Sequence, residues 1–218
     1  MNSFSEENYL KIIFHLEQQT NSAALTTDIA RIIGLKAASV SEMLKKLSAK
    51  KLITYQKYQG VELTAAGRKK AVSIVRKHRL WEVFLLQKMG FAWDEVHDMA
   101  EQLEHIDSDE LINRLDKYLG NPKFDPHGDP IPDKNGKIVN HKSLLLSDAK
   151  SNSTYILAGV SNHNNLFLKH LSELGFKLND SITVKSVMDY DKSLMVAVNA
   201  RSFVITHQVA CQLKVVKA

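Results

Sequence analysis

The chain has 218 residues, 44% hydrophobic and 24% charged, the balance of an ordinary folded soluble protein. No apolar run approaches the ~18 residues that a membrane span needs. Met1-Asn2-Ser3-Phe4-Ser5-Glu6-Glu7 lacks the basic flank and apolar stretch of a signal peptide. The single cysteine, Cys211, cannot form an internal disulfide, so a cytoplasmic protein without membrane contact is expected. The net charge of +5 sums unlike parts: residues 1–90 hold 15 Lys/Arg against 7 Asp/Glu, and residues 91–142 hold 6 against 12. A basic first part attracts polyanions such as DNA, and clustered carboxylates in the second attract cations.

In chain order, Tyr9, Leu10, Ile12, Ile13, Phe14 and Leu16 predict an amphipathic helix over 6–19. Thr26-Thr27-Asp28 offers a polar N-cap to a short helix, Ile29–Ile33, and Gly34 ends it. Val40, Met43, Leu44 and Leu47 repeat at i, i+3, i+4, i+7 and predict the next helix. Two short helices joined by a tight glycine-containing turn make a helix-turn-helix pattern. Leu52-Ile53-Thr54-Tyr55 and Val61-Glu62-Leu63-Thr64 read as strands of a hairpin with its tip at 57–60, the wing of a winged helix. Helices follow over 65–89, 94–104 and 107–119, the last with Ser108 as a cap. All four prolines fall between 122 and 132 and mark an ordered turn segment. Tyr155–Val160, Ile182–Val187, Leu194–Val198 and Phe203–Thr206 are strand-like, and Asn165–Leu174 reads as a helix stopped by Gly175. Short strands around one helix predict a small barrel.

The second helix of a helix-turn-helix enters the major groove with its N-terminal residues at the base edges. Those residues are Lys36, Ala37, Ala38, Ser39, Ser41 and Glu42. Alanine can touch a thymine methyl, while Lys45, Lys46, Lys50, Lys51 and Lys57 suit phosphates, which position the protein more than they select sequence. His97, Glu101, Glu104 and His105 sit at i, i+4, i+7 and i+8, on one helix face. His78 and Glu82 share a face of the long preceding helix. Imidazole with carboxylate suits first-row divalent metals, and an acid-rich set without thiolate favours Mn²⁺. Solvated His/Glu pairs on polar helix faces are the plainer alternative for any one of these pairs.

These residues carry a family resemblance across essentially the whole chain. Tyr9-Leu10, Ile29 to Leu47, Leu63-Thr64-Ala65-Ala66-Gly67-Arg68, Arg76-Lys77-His78-Arg79-Leu80-Trp81-Glu82, Val96-His97-Asp98 through Glu104-His105, and Gly128-Asp129-Pro130-Ile131-Pro132 resemble the iron- and manganese-dependent repressors of the diphtheria toxin repressor and manganese transport regulator family. Leu174 to Asp180 looks like the turn opening an SH3-like (FeoA-like) barrel. The resemblance implies a mainly α fold with small β: a winged helix-turn-helix at 1–72, a helical dimerisation and metal-binding domain at 73–140, a linker at 141–147 and an SH3-like β-barrel at 148–218. It implies one, ancillary, metal site from His78, Glu82 and His97, and a regulatory one from Glu101, Glu104 and His105. Glutamate at 101, where the iron regulators have a thiol-bearing residue, tips the choice to Mn²⁺ over Fe²⁺. Asn8 stands where the family has an aspartate or methionine ligand, and its amide oxygen binds Mn²⁺ more weakly. Lys11 stands where two-domain manganese regulators have a glutamate ligand; an ammonium cannot serve, which argues against a closely paired two-metal cluster. His163 or Asn164 is a candidate ligand from the barrel. His127 reads as a turn residue, Cys211 as a small buried group, and Trp81 and Trp93 as core or dimer-interface residues.

The function implied is a homodimeric, metal-dependent DNA-binding repressor of metal-homeostasis genes, acting on a palindromic double-stranded operator. The alternative is a metal-independent winged-helix regulator sensing a small molecule. An enzyme is not expected: His97-Asp98-Met99-Ala100-Glu101 is not HExxH, and neither GxxxxGK[ST] nor GxSxG is present.

Overall fold

A computed structural model describes residues 4–56, 60–139 and 142–218. The chain divides into two compact units: 1–78 with 102–109 and 132–137, and 79–101 with 110–131 and 138–218.

The N-terminal unit opens with α1 (Phe4–Thr20), α2 (Thr26–Ile33) and α3 (Ala37–Ala49). α2 is entered through Leu25 in extended conformation, with no side-chain cap. The polar cap expected from Thr26-Thr27-Asp28 is not used, because Ala24 is bridged to Val61 and that backbone pairing sets the entry. Gly34 closes α2 at φ 74°, and its N–H bonds the Ala30 carbonyl, a left-handed turn that glycine adopts without strain. α3 buries Val40, Leu44 and Leu47, the stripe its spacing predicts. β1 (Ile53–Gln56) and β2 (Gly60–Leu63) form the antiparallel wing, with Ile53 opposite Leu63 and Gln56 opposite Gly60. The wing tip, with Lys57, lies outside the described residues. Glu17 of α1 is buried, accepts the Leu63 N–H at 2.7 Å and pairs with Arg68, so the wing and the next helix are fastened to α1.

α4 (Ala65–Met89) has the limits its pattern predicts, and is followed by α5 (Val96–Leu103) and α6 (Asp109–Tyr118). Thr64 caps α4, accepting the Gly67 N–H on Oγ1 at 3.1 Å.

The second unit carries a six-stranded antiparallel sheet: β3 (Leu144–Leu145), β4 (Ser153–Val160), β5 (Ser181–Val187), β6 (Leu194–Val198), β7 (Arg201–Ile205) and β8 (Leu213–Lys217). The spatial order is β3-β8-β4-β5-β6-β7. Inward residues alternate along β4, β5 and β6 (Leu157, Ile182, Val184, Leu194, Val196, Val198) and enclose a core with Trp93 and Phe176. Register shifts between Leu157 and Gly159 and between Val184 and Ser186 bend the sheet around this core. α7 (Asn165–Leu174) adds Leu168 and Leu171, and α8 (His207–Ala210) precedes β8. β3 and the 3-10 turn Leu146–Asp148, with Leu146 fully buried, occupy residues read from the sequence as linker. Among the described residues the ladder ends at β3 and β7. Cys211 is half-buried, with Sγ 3.4 Å from His207 Nε2, because α8 ends at the surface.

The proline segment docks on this sheet. The Val160 N–H donates to the His127 carbonyl at 2.9 Å, and Gly128 lies so close to β4 that a Cβ there would meet the Ala158 oxygen at 2.0 Å. Its φ of +83° also requires glycine.

Candidate metal centres and nucleic-acid interface

Burying Val40, Leu44 and Leu47 turns the opposite face of α3 outward. Lys36, Ala37, Ala38, Ser39, Glu42, Lys45 and Lys46 are exposed, and Ser41 is half-buried with its hydroxyl donating to the Ala37 carbonyl. The residues expected to read bases therefore share one accessible surface at the N-terminal half of the helix. Lys46 is less available than its sequence suggests. Its Nζ lies 3.0 Å from Glu6, and Lys50 lies 2.8 Å from the same carboxylate. Glu6 is itself buried. Burial works against its ionisation, but Lys50 and Lys46 outweigh that and hold its carboxyl below the usual range.

A second group in this unit joins α1 to residues 104–105. Glu104 is fully buried. Lys11 Nζ donates to its two oxygens at 2.7 and 2.9 Å, and His78 Nδ1 lies 2.6 Å from Oε2. His105 Nδ1 lies 2.6 Å from Glu7, with Nε2 4.0 Å from Glu104. Asn8 Oδ1 is buried without a hydrogen-bond partner. Such an oxygen loses its hydration uncompensated, at a cost of about 1–3 kcal/mol, and is what a bound cation would satisfy. This observation fits a metal beside Asn8.

The second unit holds a separate cluster. Glu82, Asp125 and His127 are buried and offer ligand atoms all within 4.8 Å of one another. His127 Nδ1 lies 3.6 Å from Glu82 Oε1, and His97 Nδ1 lies 3.5 Å from that oxygen. Glu101 is 3.6 Å from His97 Nε2. His127 Nε2 is 2.8 Å from the Trp93 carbonyl; a carbonyl only accepts, so Nε2 carries a proton, and Nδ1 is the nitrogen that faces the carboxylates. A histidine whose outer nitrogen is tied to a carbonyl in this way is oriented as metal ligands are. Burial raises the Asp125 carboxyl well above its usual range, the Glu82 and Asp129 charges add to it, and Arg79, with Nε 3.4 Å from Oδ2, only partly offsets them. Two carboxylates and an imidazole nitrogen so placed can hold a cation. The donors are oxygen and nitrogen, a hard set suited to Mn²⁺ or Fe²⁺.

His163 lies against His127, with ring centroids 5.1 Å apart and the planes tilted by 32°, and its Nε2 is 3.6 Å from Asp129 Oδ2. Burial drives its pKa down to about 4, against the pull of Asp129. Asn164 spends its side-chain oxygen capping α7 on the Leu166 N–H. Trp93 lies in the sheet core and donates from Nε1 to Ser172; Trp81 is buried, with Nε1 unpartnered.

Comparison with known proteins bears on the whole chain. Residues 1–61 match the iron dependent repressor N-terminal DNA binding domain, residues 64–133 the iron dependent repressor metal binding and dimerisation domain, and residues 144–217 the FeoA domain. A solved manganese-dependent transcriptional repressor, in complex with manganese, is 32% identical, with a TM-score of 0.85, over 98% of this chain and 100% of that one. The chain belongs to the iron- and manganese-dependent repressor family. The manganese regulator SloR is similar at 33% identity and a TM-score of 0.75, over 98% of both chains. The iron-dependent repressor IdeR of Mycobacterium leprae is 36% identical over 126 residues, which is 58% of this chain and 54% of IdeR. The match thus spans about half the length of the curated relatives. No helix among the described residues is long and apolar enough to cross a membrane.

The structure brings His127, read from the sequence as a turn residue, and Asp125, not singled out there, beside Glu82. Asp125-Pro126-His127-Gly128 reads as a turn, and a turn has no periodicity to reveal which side is buried. The available signal was the alternation of Asp125, His127 and Asp129 within a proline-stiffened segment.

Proposed function

We propose that the chain is a homodimeric, metal-activated transcriptional repressor, cytoplasmic and not an enzyme, that binds a palindromic DNA operator and controls metal-homeostasis genes. The observation that carries this reading is the pair of buried carboxylate–imidazole groups in a chain that also exposes the base-reading face of α3. Domain limits of 1–72, 73–140 and 148–218 serve DNA reading, dimerisation with metal binding, and an accessory SH3-like role.

Asn8, Glu104 and His105 are the regulatory ligands in this reading, to which the resemblance adds Glu101. Glu82, His97, Asp125 and His127 are the ancillary ones, to which the resemblance adds His78, with His163 as the contribution of the FeoA part. Mn²⁺, or Fe²⁺, supplies the positive charge that lets these carboxylates converge. On the protein side, Glu7 orients His105, the Trp93 carbonyl fixes the tautomer of His127, and Arg79 holds Asp125 and Asp129. Lys36, Ala37, Ala38, Ser39, Ser41 and Glu42 face the base edges, and Lys45 and Lys57 the phosphates. Lys46 adds to this after sharing its charge with Glu6. Two-fold symmetry sets half-sites about one helical turn, or a multiple, apart. Metal and DNA strengthen each other reciprocally, with couplings of about 1–3 kcal/mol.

Fluorescence anisotropy on a promoter fragment tests this. Affinity should rise with Mn²⁺ over chelator, and Glu101→Ala should abolish that response while leaving salt-sensitive, non-specific binding. Equal affinity in chelator and in excess Mn²⁺ would defeat the reading.

A further inference from the structure

We propose that the Lys11 ammonium is a resident cation on Glu104, which a divalent metal must displace or share, so that Lys11 sets how tightly this chain binds metal. The inference rests on the reading of Glu104 as a metal ligand and adds what governs that ligand.

The geometry is specific. Lys11 Nζ engages the two Glu104 oxygens at 2.7 and 2.9 Å. Lys11 is 7% exposed and Glu104 0%, so solvent screens the pair little. Lysine is rarely buried unless its charge is paired, and a lone buried carboxylate carries a large desolvation penalty. Each therefore accounts for the other. The remaining neighbours of Glu104 are imidazoles: His78 at 2.6 Å from Oε2 and His105 at 4.0 Å from Oε1. A carboxylate ringed by imidazoles and a cation has the composition of a metal site, with the cation supplied by the chain.

Lys11 also shares α1 with two oxygen-bearing groups beside Glu104 and His105. Glu7, Asn8 and Lys11 are spaced i, i+1 and i+4 on α1, and Glu7 and Lys11 are neighbours one turn apart. Glu7 takes His105 at 2.6 Å, Lys11 takes Glu104, and the Asn8 oxygen between them is the unpartnered one. An ammonium tethered by four methylenes keeps Glu104 neutralised when no metal is bound. Its cost is weaker metal binding, since two cations repel across a short, poorly screened distance.

The test compares wild type, Lys11→Met and Lys11→Arg as full chains, by calorimetric titration with MnCl₂ and by thermal melting in EDTA and in Mn²⁺. Methionine keeps length and apolar bulk without charge. Lys11→Met should melt below wild type in EDTA, bind Mn²⁺ about ten-fold or more tightly, and gain more melting temperature from Mn²⁺ than wild type does. Lys11→Arg keeps the cation and should stay near wild type in affinity. A Lys11→Met protein that is unfolded in EDTA but restored by Mn²⁺ also supports the proposal. Mn²⁺ affinity of Lys11→Met equal to or weaker than wild type overturns it, as does an unfolded variant that Mn²⁺ does not rescue. If wild type binds no Mn²⁺ at all, the metal reading of the site fails first. If wild type binds Mn²⁺ and responds on DNA while Lys11→Met is no tighter, only this proposal fails.

Discussion

Asp125→Asn separates a metal cluster from an ordinary buried ion pair, because the two predict opposite outcomes in chelator and in metal. The Asp125 carboxyl accepts the His127 and Asp129 N–H groups on Oδ1 at 2.8 and 2.9 Å, and an amide oxygen keeps both bonds. The substitution removes a buried negative charge that Glu82 and Asp129 oppose, and with it the 3.4 Å approach of Arg79 Nε. Arg79 retains Asp129, at 3.4 Å, and the Pro130 carbonyl. The two effects oppose each other, so the melting temperature in EDTA should change little or rise. In Mn²⁺ the variant should lose. At a hundred times Kd, a ligand that binds only the folded state adds about 2.7 kcal/mol. Weakening the site about 10- to 100-fold leaves about 1.4–0.4 kcal/mol, a loss of about 1.3–2.3 kcal/mol. At about 2–4 °C per kcal/mol for a chain of this size, the Mn²⁺-induced rise should shrink by about 3–9 °C. Scanning fluorimetry in EDTA and in MnCl₂ measures both numbers. A full Mn²⁺-induced rise in the variant, together with a large loss in EDTA, would refute the reasoning and make Asp125 a structural partner of Arg79.

Gly128→Ala should destabilise the second unit by about 2 kcal/mol or more, since φ is +83° and the added Cβ meets the Ala158 oxygen at 2.0 Å; a melting temperature unchanged by the methyl would contradict the docking of this turn on β4. Leu44→Ala, at a fully buried position of α3, should cost about 2–5 kcal/mol, checked by urea unfolding. Lys45→Ala should lower DNA affinity about equally on operator and random DNA and reduce the salt slope by about 1; loss confined to the operator would place Lys45 at a base. His163 has its pKa depressed from 6.5 to about 4, so between these values the unfolded chain binds a proton that the folded one refuses. Stability in EDTA should therefore fall as pH drops through that window, and His163→Gln should flatten the fall; an identical pH profile would remove His163 as its source.

What the sequence made legible was local, in helices and in strands such as Leu194–Val198. Val40, Leu44 and Leu47 announce α3, Gly34 announces the turn before it, and α4 runs over the residues its pattern predicts. Periodicity suffices for α3 because it buries one stripe, whatever it packs against. It fails where meaning comes from a distant partner. β8, Leu213–Lys217, is missed in the sequence, and is a strand by pairing with β3 and β4. Leu25 starts α2 because Ala24 pairs with Val61. The charged groups around the candidate sites are the extreme case: Lys11 meets a residue 93 positions away, and Lys46, whose sequence position suggests a phosphate contact, also meets Glu6. One sign was nevertheless readable. Glu6, Leu10, Ile13 and Glu17 repeat at i, i+4, i+7 and i+11 and are all buried on α1. Two carboxylates in an apolar stripe break the local rule, and such breaks mark places where tertiary pairing overrides it. Glu6 anchors Lys46 and Lys50, and Glu17 anchors Arg68. The same helix sends Glu7 to His105 and Lys11 to Glu104. α1 therefore touches the recognition helix through one set of charges and the candidate ligands through another. Within the N-terminal unit, α1 thus carries the contact to Glu104 and the contacts to Lys46 of α3 and to Lys50 at its end on a single helix.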